Sequence, residues 1–590
     1  MHTKSADIFA RFAMIGQAAL VACSEPECGT IRRMKISHVR SPPNGGQMAE
    51  VKFLEESVPA VVGETLLDHA QRTDAAFKEI AATCDGQGVC GECVVLITAG
   101  ADALTRPTEH EEAVTAAGNE DPEGAYRLAC QATVADSTVD IEVATFRRNL
   151  RILSHGSGSE HVQLAPRVQT DGDAVRIGDV AVSYSGGDVL GLALDVGTTS
   201  VVAELVDLTS GATVATTSFE NPQRFGGSNV INRITYDRTH RLLLQRVLVS
   251  HLNAAIAELP CARADILEVV VAGNPTMRDL FFGLDVQPIG LSPFLSVTET
   301  EFRAGHRTAT SLDVPAAELG LEINPSGRVY GLPLVACHVG ADAAAGMLVS
   351  DIWSSDAPVL FLDIGTNTEV LLGNRHRVLA ASSPAGPAFE GAGVTFGMPG
   401  LEGAIESIRL EDGTARWSTI GGGVPRGICG SGLVDLLGEL VRTQRINHFG
   451  RFADGSGSMT VAPDQGITFS DRDIAEIAQA KGSNYGAQMI LMKEFGISVE
   501  DVGRLYLAGG FAEYLDVAQA QRIGMIAAVA EDRVVKLGNA SLQGARALLK
   551  NESLRFELEE RAPNVEHVRL EQDPDFFDLF VDGMQFPAVS

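Results

Sequence analysis

The chain has 590 residues, 45% of them hydrophobic, which is several domains' worth of length with ample apolar material for their cores and excludes a disordered polymer. Lys+Arg 46 against Asp+Glu 76 gives a formal charge of −30, which argues against nucleic acid as a partner and favours an acidic surface that docks other proteins. The nine cysteines, at 23, 28, 84, 90, 93, 130, 261, 337 and 429, form one tight group and several singletons, a pattern foreign to the disulfide frameworks of small secreted domains.

Residues 1–47 stand apart, with a net positive charge on an otherwise acidic chain. The apolar run from Phe12 to Ala22 ends at Leu20-Val21-Ala22-Cys23, which has the form of a lipoprotein cleavage box. Against export stand the mixed charges of Lys4, Asp7 and Arg11, and a run too short to span a bilayer. The segment is expected to be an extension that is disordered or not translated, with the start at Met34 or Met48, and the protein is expected to be cytoplasmic. No other stretch reaches the roughly 18 apolar residues of a spanning helix, so no membrane is expected as a partner.

From Met48 the sequence predicts a strand (VKFLEE), a helix (LLDHAQRTD), and the loop Cys84-Asp-Gly-Gln-Gly-Val-Cys90-Gly-Glu-Cys93 running into a strand (VVLIT), with Cys130 following 36 residues later. Thiolates are the ligands iron–sulfur clusters take, and Gly86, Gly88 and Gly91 allow the loop to wrap inorganic sulfide with its N–H groups inward. The C-x5-C-x2-C-x36-C spacing has one residue more in its first gap than the plant-type pattern. A zinc knuckle is the competing reading, but zinc sites pair their ligands in two short knuckles, and the single distal Cys130 does not. Between the third and fourth ligands lie Glu109, Glu111, Glu112, Glu120, Asp121 and Glu123, read either as a surface that steers a basic electron donor or as a plain solvated face.

An internal repeat marks a second site. Residues 191–219 and 360–383 each give an apolar strand, a turn of the form D-[VI]-G-T-[TN]-[ST], a second strand, a tight turn and a third strand. Gly197 and Gly365 let the backbone approach an anion. Consecutive N–H groups and the hydroxyls of Thr198, Thr199, Thr366 and Thr368 can hold phosphate oxygens, and Asp195 and Asp363 can hold hydrated Mg²⁺. One such turn is weak; two in register predict a polyphosphate held from both sides. No G-x4-G-K-[ST] occurs, which excludes a P-loop. Gly427-Ile-Cys429-Gly430-Ser431-Gly predicts a glycine-rich loop opening a helix, and Leu505-Tyr-Leu-Ala-Gly509-Gly510 a strand ending in a double glycine.

The four cysteines resemble the ligand set of adrenodoxin-like two-iron, two-sulfur ferredoxins, and the paired turns resemble the actin-like ATPases and kinases (the ASKHA superfamily). Together they make residues 48–590 resemble the reductive activators of corrinoid-dependent enzymes. Shorter segments similar to that family's pattern are Asn221-Pro-Gln with Val230-Ile-Asn-Arg233-Ile, Ala272-Gly-Asn274-Pro-Thr276, Val339-Gly-Ala-Asp342, Ala385-Gly-Pro-Ala-Phe-Glu390-Gly and Gly538-Asn-Ala-Ser-Leu-Gln-Gly. Asn229 stands where an Asp is expected. The resemblance implies an α+β, ferredoxin-like (β-grasp) domain over 48–147, a linker or reduced middle domain over 148–187, and an α/β actin-like ATPase with a duplicated core over 188–590.

The resemblance further implies a 2Fe-2S cluster on Cys84, Cys90, Cys93 and Cys130. It implies ATP with Mg²⁺ on the catalytic Asp195 and Asp363, with Gly197, Thr198, Thr199, Gly365, Thr366, Asn367, Gly430 and Ser431 at the phosphates and Gly509 and Gly510 at adenosine. Cys261, Cys337 and Cys429 are expected in the core. The implied activity is one-electron reduction of the Co(II) corrinoid of a methyltransferase system's corrinoid protein to Co(I), with a reductase or a ferredoxin as electron donor. Plant-type clusters lie near −400 mV and the Co(II)/Co(I) couple lower, so coupling to ATP would drive an uphill transfer. The loop Ser382–Gly393 is read as a crossover or as a face toward the partner. The alternatives are an ATP-driven iron–sulfur activator of another low-potential enzyme, and an actin-fold small-molecule kinase fused to a ferredoxin domain.

Overall fold

The computed structural model describes residues 49–53, 56–73, 80, 88, 93–108, 111, 125–145, 162–171, 174–182, 184, 186–227, 229–510 and 512–586. The extension read over residues 1–47 lies outside them. At the N-terminal end, β1 (Glu50–Phe53), β2 (Glu56–Pro59), β3 (Val94–Ala99), β4 (Ala125–Leu128) and β5 (Ile141–Thr145) form a sheet in the order β2-β1-β5-β3-β4. β1 and β5 run parallel while the remaining pairs are antiparallel, which is the β-grasp arrangement. Strict alternation drives it, with Val51 and Phe53 inward and Glu50 and Lys52 outward. The helix Leu66–Ala70 opens on a capping box between Thr65 and Asp68. It buries Leu66 and Ala70 against the sheet and is shorter than the predicted LLDHAQRTD.

One carboxylate of the acidic stretch is neither a solvated face nor a steering charge. Glu111 is 1% exposed, and its Oε1 accepts from Arg127 Nε at 2.8 Å and from the Leu128 backbone N–H at 2.9 Å, pinning β4 from behind. The pairing was invisible in sequence because its partner lies 16 residues on.

Residues 168–182 form a three-stranded meander, β6 (Val168–Asp171), β7 (Ala174–Ile177) and β8 (Val180–Val182). Its Val168, Val175, Ile177 and Val182 enter the central core of the remaining chain.

That remainder carries two six-stranded sheets of matching design. The first contains β9 (Leu190–Val196), β10 (Ser200–Asp207), β11 (Thr213–Glu220), β12 (Ile266–Ala272), β13 (Leu312–Pro315) and β14 (Arg328–Gly331), in the order β11-β10-β9-β12-β14-β13. The second contains β15 (Val359–Ile364), β16 (Thr368–Asn374) and β17 (Arg377–Ser383). The small sheets β18 (Ala404–Glu411), β19 (Thr414–Thr419), β20 (Gly427–Ile428) and β21 (Ser458–Ala462), β22 (Ile467–Ser470) follow in the chain. β23 (Arg504–Ala508), β24 (Val534–Gly538) and β25 (Glu566–His567) complete the second six-stranded sheet, in the order β24-β23-β15-β16-β17-β25. In each, an antiparallel meander is extended by a strand parallel to its first, β12 beside β9 and β23 beside β15. The central strands are buried on both faces, which accounts for their unbroken apolar runs.

Between the sheets lie two helices, Ala341–Ser350 and Ala540–Lys550, and the core around them draws Ala193 and Val270 from one sheet and Phe361 and Leu371 from the other. They cross closely because small residues meet. A Cβ placed on Gly544 would lie 2.5 Å from the Cβ of Ala345. Buried ion pairs then fasten the C-terminal helices to the first sheet, Arg546 to Glu204 at 3.0 Å and Arg555 to Glu268 at 2.8 Å. Gly544→Val is expected to overpack this crossing and cost on the order of 1–3 kcal/mol, seen as a lower melting temperature.

Candidate functional site

The N-terminal domain brings two distant thiols together. Cys93 directly precedes β3 and Cys130 lies two residues beyond the end of β4, and their Sγ atoms lie 3.3 Å apart, both buried. The Ala129 N–H donates to the Cys93 carbonyl at 2.8 Å and fixes the two strand ends in this register. Gln131 Nε2 lies 3.6 Å from the Cys130 sulfur. Two thiols at this separation, converging at the same end of a fixed antiparallel β-pair, suit a shared metal or cluster. Gly88, with φ at +73°, supplies the left-handed turn such a loop needs. Cys84 and Cys90 lie outside the described residues.

The two repeated turns face one cavity of about 360 Å³, onto which twelve of the thirteen residues read for nucleotide and Mg²⁺ open. In the first turn the Gly197 N–H donates to the Ser200 carbonyl at 2.9 Å, and a Cβ at Gly197 would press to 2.7 Å from that oxygen. Three side chains hold this turn from behind. Asn221 Nδ2 donates to the Gly197 carbonyl at 2.7 Å, Arg233 Nη2 to the Thr198 carbonyl at 2.6 Å, and Asn274 Nδ2 to Thr198 Oγ1 at 3.1 Å. Asn229, in place of the expected Asp, caps the helix Val230–Thr239 through the Asn232 N–H at 2.9 Å. Arg233, one turn along that helix, is 1% exposed and has no carboxylate partner among the described residues. Burial lowers its pKa to about 10.

Asp195 and Asp363 end equivalent strands, joined in the cavity by Asp342 and Glu369. Burial pushes the Asp195 carboxyl up to about 7, opposed by a hydrogen bond that Asn539 Nδ2 donates at 2.7 Å. Asp363 is pushed up to about 8 by burial and by the charges of Asp342 and Asp195. Asp342, in the first turn of its helix, is held up at about 6 by burial, with backbone N–H groups pulling the other way. Glu369 is raised well above its usual range by burial and by Asp342 and Asp363. No lysine or arginine lines the cavity among the described residues. A divalent cation arriving with an anionic ligand is the species these carboxylates fit.

Several expectations shift. Thr368 is fully buried as the first residue of β16, outside the cavity lining, and its hydroxyl finds no hydrogen-bond partner among the described residues. Among the singleton cysteines Cys337 and Cys429 are buried as expected, Cys429 also at the cavity wall as the N-cap of the helix Gly430–Arg442, while Cys261 is only half-buried. The Ser382–Gly393 loop is neither a plain crossover nor an outward face. It folds back so that Glu390 accepts from Thr199 Oγ1 at 2.5 Å and Thr366 Oγ1 at 2.6 Å, one hydroxyl from each turn.

Sequence reasoning assigned no role to Asp342, Glu369, Glu390, Asn274 or Asn539. A signal for part of this set was present, since β12 and β23 both end in Ala-Gly. Gly273 (φ +153°) and Gly509 (φ +109°) bring their backbones against the carbonyls of Val196 and Ile364, the residues after the two turn aspartates.

Comparison with known proteins gives a consistent picture. A family model described as the C-terminal domain of RACo, the ASKHA domain, matches residues 357–590. The RACo middle region matches 190–355, and a 2Fe-2S iron-sulfur cluster binding domain matches 51–135. The chain is 32% identical to the corrinoid activation enzyme RamQ of Eubacterium limosum, over 68% of this chain and 70% of that protein. It is 25% identical to a [Co(II) methylated amine-specific corrinoid protein] reductase of Methanosarcina barkeri, over 67% of this chain and 77% of that one. A solved reductive activator for a corrinoid, iron–sulfur protein superposes with a TM-score of 0.65 at 27% identity, covering 92% of this chain and 99% of that structure. Among the described residues no helix is long and apolar enough to cross a membrane.

The carboxylate pKa values fix a direction for stability. Asp363 holds its proton up to about pH 8 when folded, against 3.8 as its ordinary value, so the folded state binds more protons across that interval and loses stability as pH rises through it. In EDTA, wild type is expected to melt lower at pH 9 than at pH 6. Asp363→Asn should flatten this trend and stabilise the protein at pH 9 by about 1–2 kcal/mol, measured by thermal denaturation.

Proposed function

This chain belongs to the family of reductive activators of corrinoid-dependent enzymes, and on that premise we propose that it returns the Co(II) corrinoid of a methyltransferase system's corrinoid protein to Co(I), in a one-electron transfer driven by ATP. The observation that carries the reading is the pairing, on one chain, of converging thiols in a 2Fe-2S domain with two phosphate turns opposed across a carboxylate-lined cavity. When bound, a two-iron cluster supplies a low-potential one-electron carrier. Cys93 and Cys130 would hold it, together with Cys84 and Cys90. A reductase or ferredoxin would reload it, and the cytoplasm is the compartment that suits both thiolates and ATP.

The chain's own residues supply the coupling. Asp195 and Asp363 would hold Mg²⁺, the N–H groups and hydroxyls of the two turns the phosphates, and Gly509 and Gly510 the adenosine. Each deficit of 100 mV between donor and cobalt costs about 2.3 kcal/mol for one electron. Nucleotide seated between turns that belong to different sheets favours one relative arrangement of the two halves. A partner whose Co(II) form binds that arrangement more tightly is thereby driven toward reduction. A fused small-molecule kinase would leave the ferredoxin domain without a task.

Purified protein reconstituted with iron and sulfide is expected to be coloured, to bleach with dithionite, and to generate Co(I) spectroscopically on a Co(II) corrinoid protein only with reductant, Mg²⁺ and ATP together. Cys130→Ser should lose the visible band and keep nucleotide binding. Asp363→Asn should keep the band and lose ATP-dependent Co(I) formation at least tenfold. Equal Co(I) yield without ATP would overturn the coupling.

A further inference from the structure

Glu390 sits at the one point where both phosphate turns converge, and its placement is built. It ends the 3-10 turn Pro387–Glu390, flanked by Gly386 at φ +79° and Gly391 at φ +92°. Phe389 beside it is 2% exposed and anchors the turn in the core of the second half. The Gly386 N–H donates to the Thr366 carbonyl at 2.9 Å, so the turn is tied to the second phosphate hairpin. Gly391 packs so closely on Gly397 and Met398 that a Cβ there would lie 2.3 Å from the Met398 nitrogen.

The four cavity carboxylates with raised pKa values have different stations. Asp195 and Asp363 end strands, Glu369 lies within β16, and Asp342 starts a helix. Glu390 alone among the described residues accepts hydroxyl hydrogen bonds from both turns, Thr199 at 2.5 Å and Thr366 at 2.6 Å. Those hydroxyls are the donors that would otherwise meet a terminal phosphoryl group. A carboxylate held where its oxygens reach both is therefore beside the outer face of that group once nucleotide enters, the side from which an in-line nucleophile must come.

We propose that Glu390 is a catalytic residue of nucleotide hydrolysis in this cleft, orienting the attacking water and accepting its proton. The assignment rests on the nucleotide reading above. The water oxygen forms a bond to the γ-phosphorus, and the bond from that phosphorus to the β,γ-bridging oxygen breaks with its electron pair remaining on ADP. One water proton passes to the Glu390 carboxylate and then to solvent, so ATP and water give ADP, inorganic phosphate and a proton. Before nucleotide arrives the same carboxylate satisfies Thr199 and Thr366, which keeps two inward hydroxyls from standing unpaired.

The test uses the full-length reconstituted protein and three readouts: phosphate release under saturating MgATP, MgADP affinity by calorimetry, and the visible cluster spectrum. Glu390→Gln is expected to slow phosphate release about 100- to 1,000-fold, the range of a lost general base, with MgADP affinity within threefold of wild type and an unchanged spectrum. Glu390→Asp should recover part of the rate. Phosphate release by Glu390→Gln within threefold of wild type overturns the assignment, as does a tenfold gain in MgADP affinity at unchanged rate, which would make Glu390 a place-holder only. A loss of rate accompanied by a tenfold loss of MgADP affinity overturns it in favour of a binding role. Wild type that binds no MgADP overturns the nucleotide reading, and this assignment with it.

Discussion

Acidic side chains are buried here side by side. Asp195, Asp342, Asp363 and Glu369 crowd one cavity that no lysine or arginine lines among the described residues, and burial raises the pKa of each. Each unit of such a shift is worth about 1.4 kcal/mol, so the empty cleft is a strained arrangement that a hydrophobic core must outweigh. The two sheets supply it, with β9, β12 and β15 buried nearly throughout. On the proposed reading, a site that weakens the fold until a cation and an anion arrive together would be the usual trade of stability for function, with ligand binding stabilising the whole two-sheet body.

Much of this was legible because duplication left two copies of one pattern. The D-[VI]-G-T turns predicted paired meanders, and β9 to β11 and β15 to β17 form them with the turn residues on one cavity. The cysteine spacing placed Cys93 and Cys130 together for the same reason, since strand pairing between β3 and β4 turns sequence separation into contact. What stayed hidden depends on three-dimensional approach. Glu390 follows its hairpin by a loop whose path no periodicity sets, and Glu111 reads as one acid among many until Arg127 is seen behind it. Thr368 was misjudged because it shares a motif with Thr366 while strand alternation carries its side chain elsewhere. The chain's 190–355 stretch, read from its repeat as the first half of an actin-like body, is the stretch the family's middle-region model matches.

Arg233 shows how a departure from a pattern acquires physical meaning. Asn229 preserves the cap that an Asp would make, since an amide oxygen accepts from the Asn232 N–H as a carboxylate would. It does not preserve charge. One helical turn on, Arg233 stays cationic with its donors on the carbonyls of Thr198 and Gly227, on Gln223 and toward the Met277 sulfur. Arg233 thus puts a buried positive charge directly behind the first turn. Its field acts through the Thr198 carbonyl that it grips, and it opposes the accumulated negative charge of the cavity from outside the lining.

The helices Ala341–Ser350 and Ala540–Lys550 give the cavity its connection to the rest of the molecule. Asp342 lies in the first turn of one, and Asn539, which holds Asp195, caps the other. Both helix starts therefore report on the cleft, while their bodies meet at Gly544 and Ala345 with no room for adjustment by side-chain rotation. Small residues at a crossing transmit displacement because close-packed backbone cannot absorb it. On the proposed reading, a cation and phosphate drawn between Asp195, Asp342 and Asp363 would act on this rigid pair, and through Arg546 and Arg555 on the first sheet as well. The same geometry explains why the turns are doubled. They belong to separate sheets, with Glu390 accepting a hydroxyl hydrogen bond from each, so a polyphosphate seated between them, as proposed above, would set the distance between the halves.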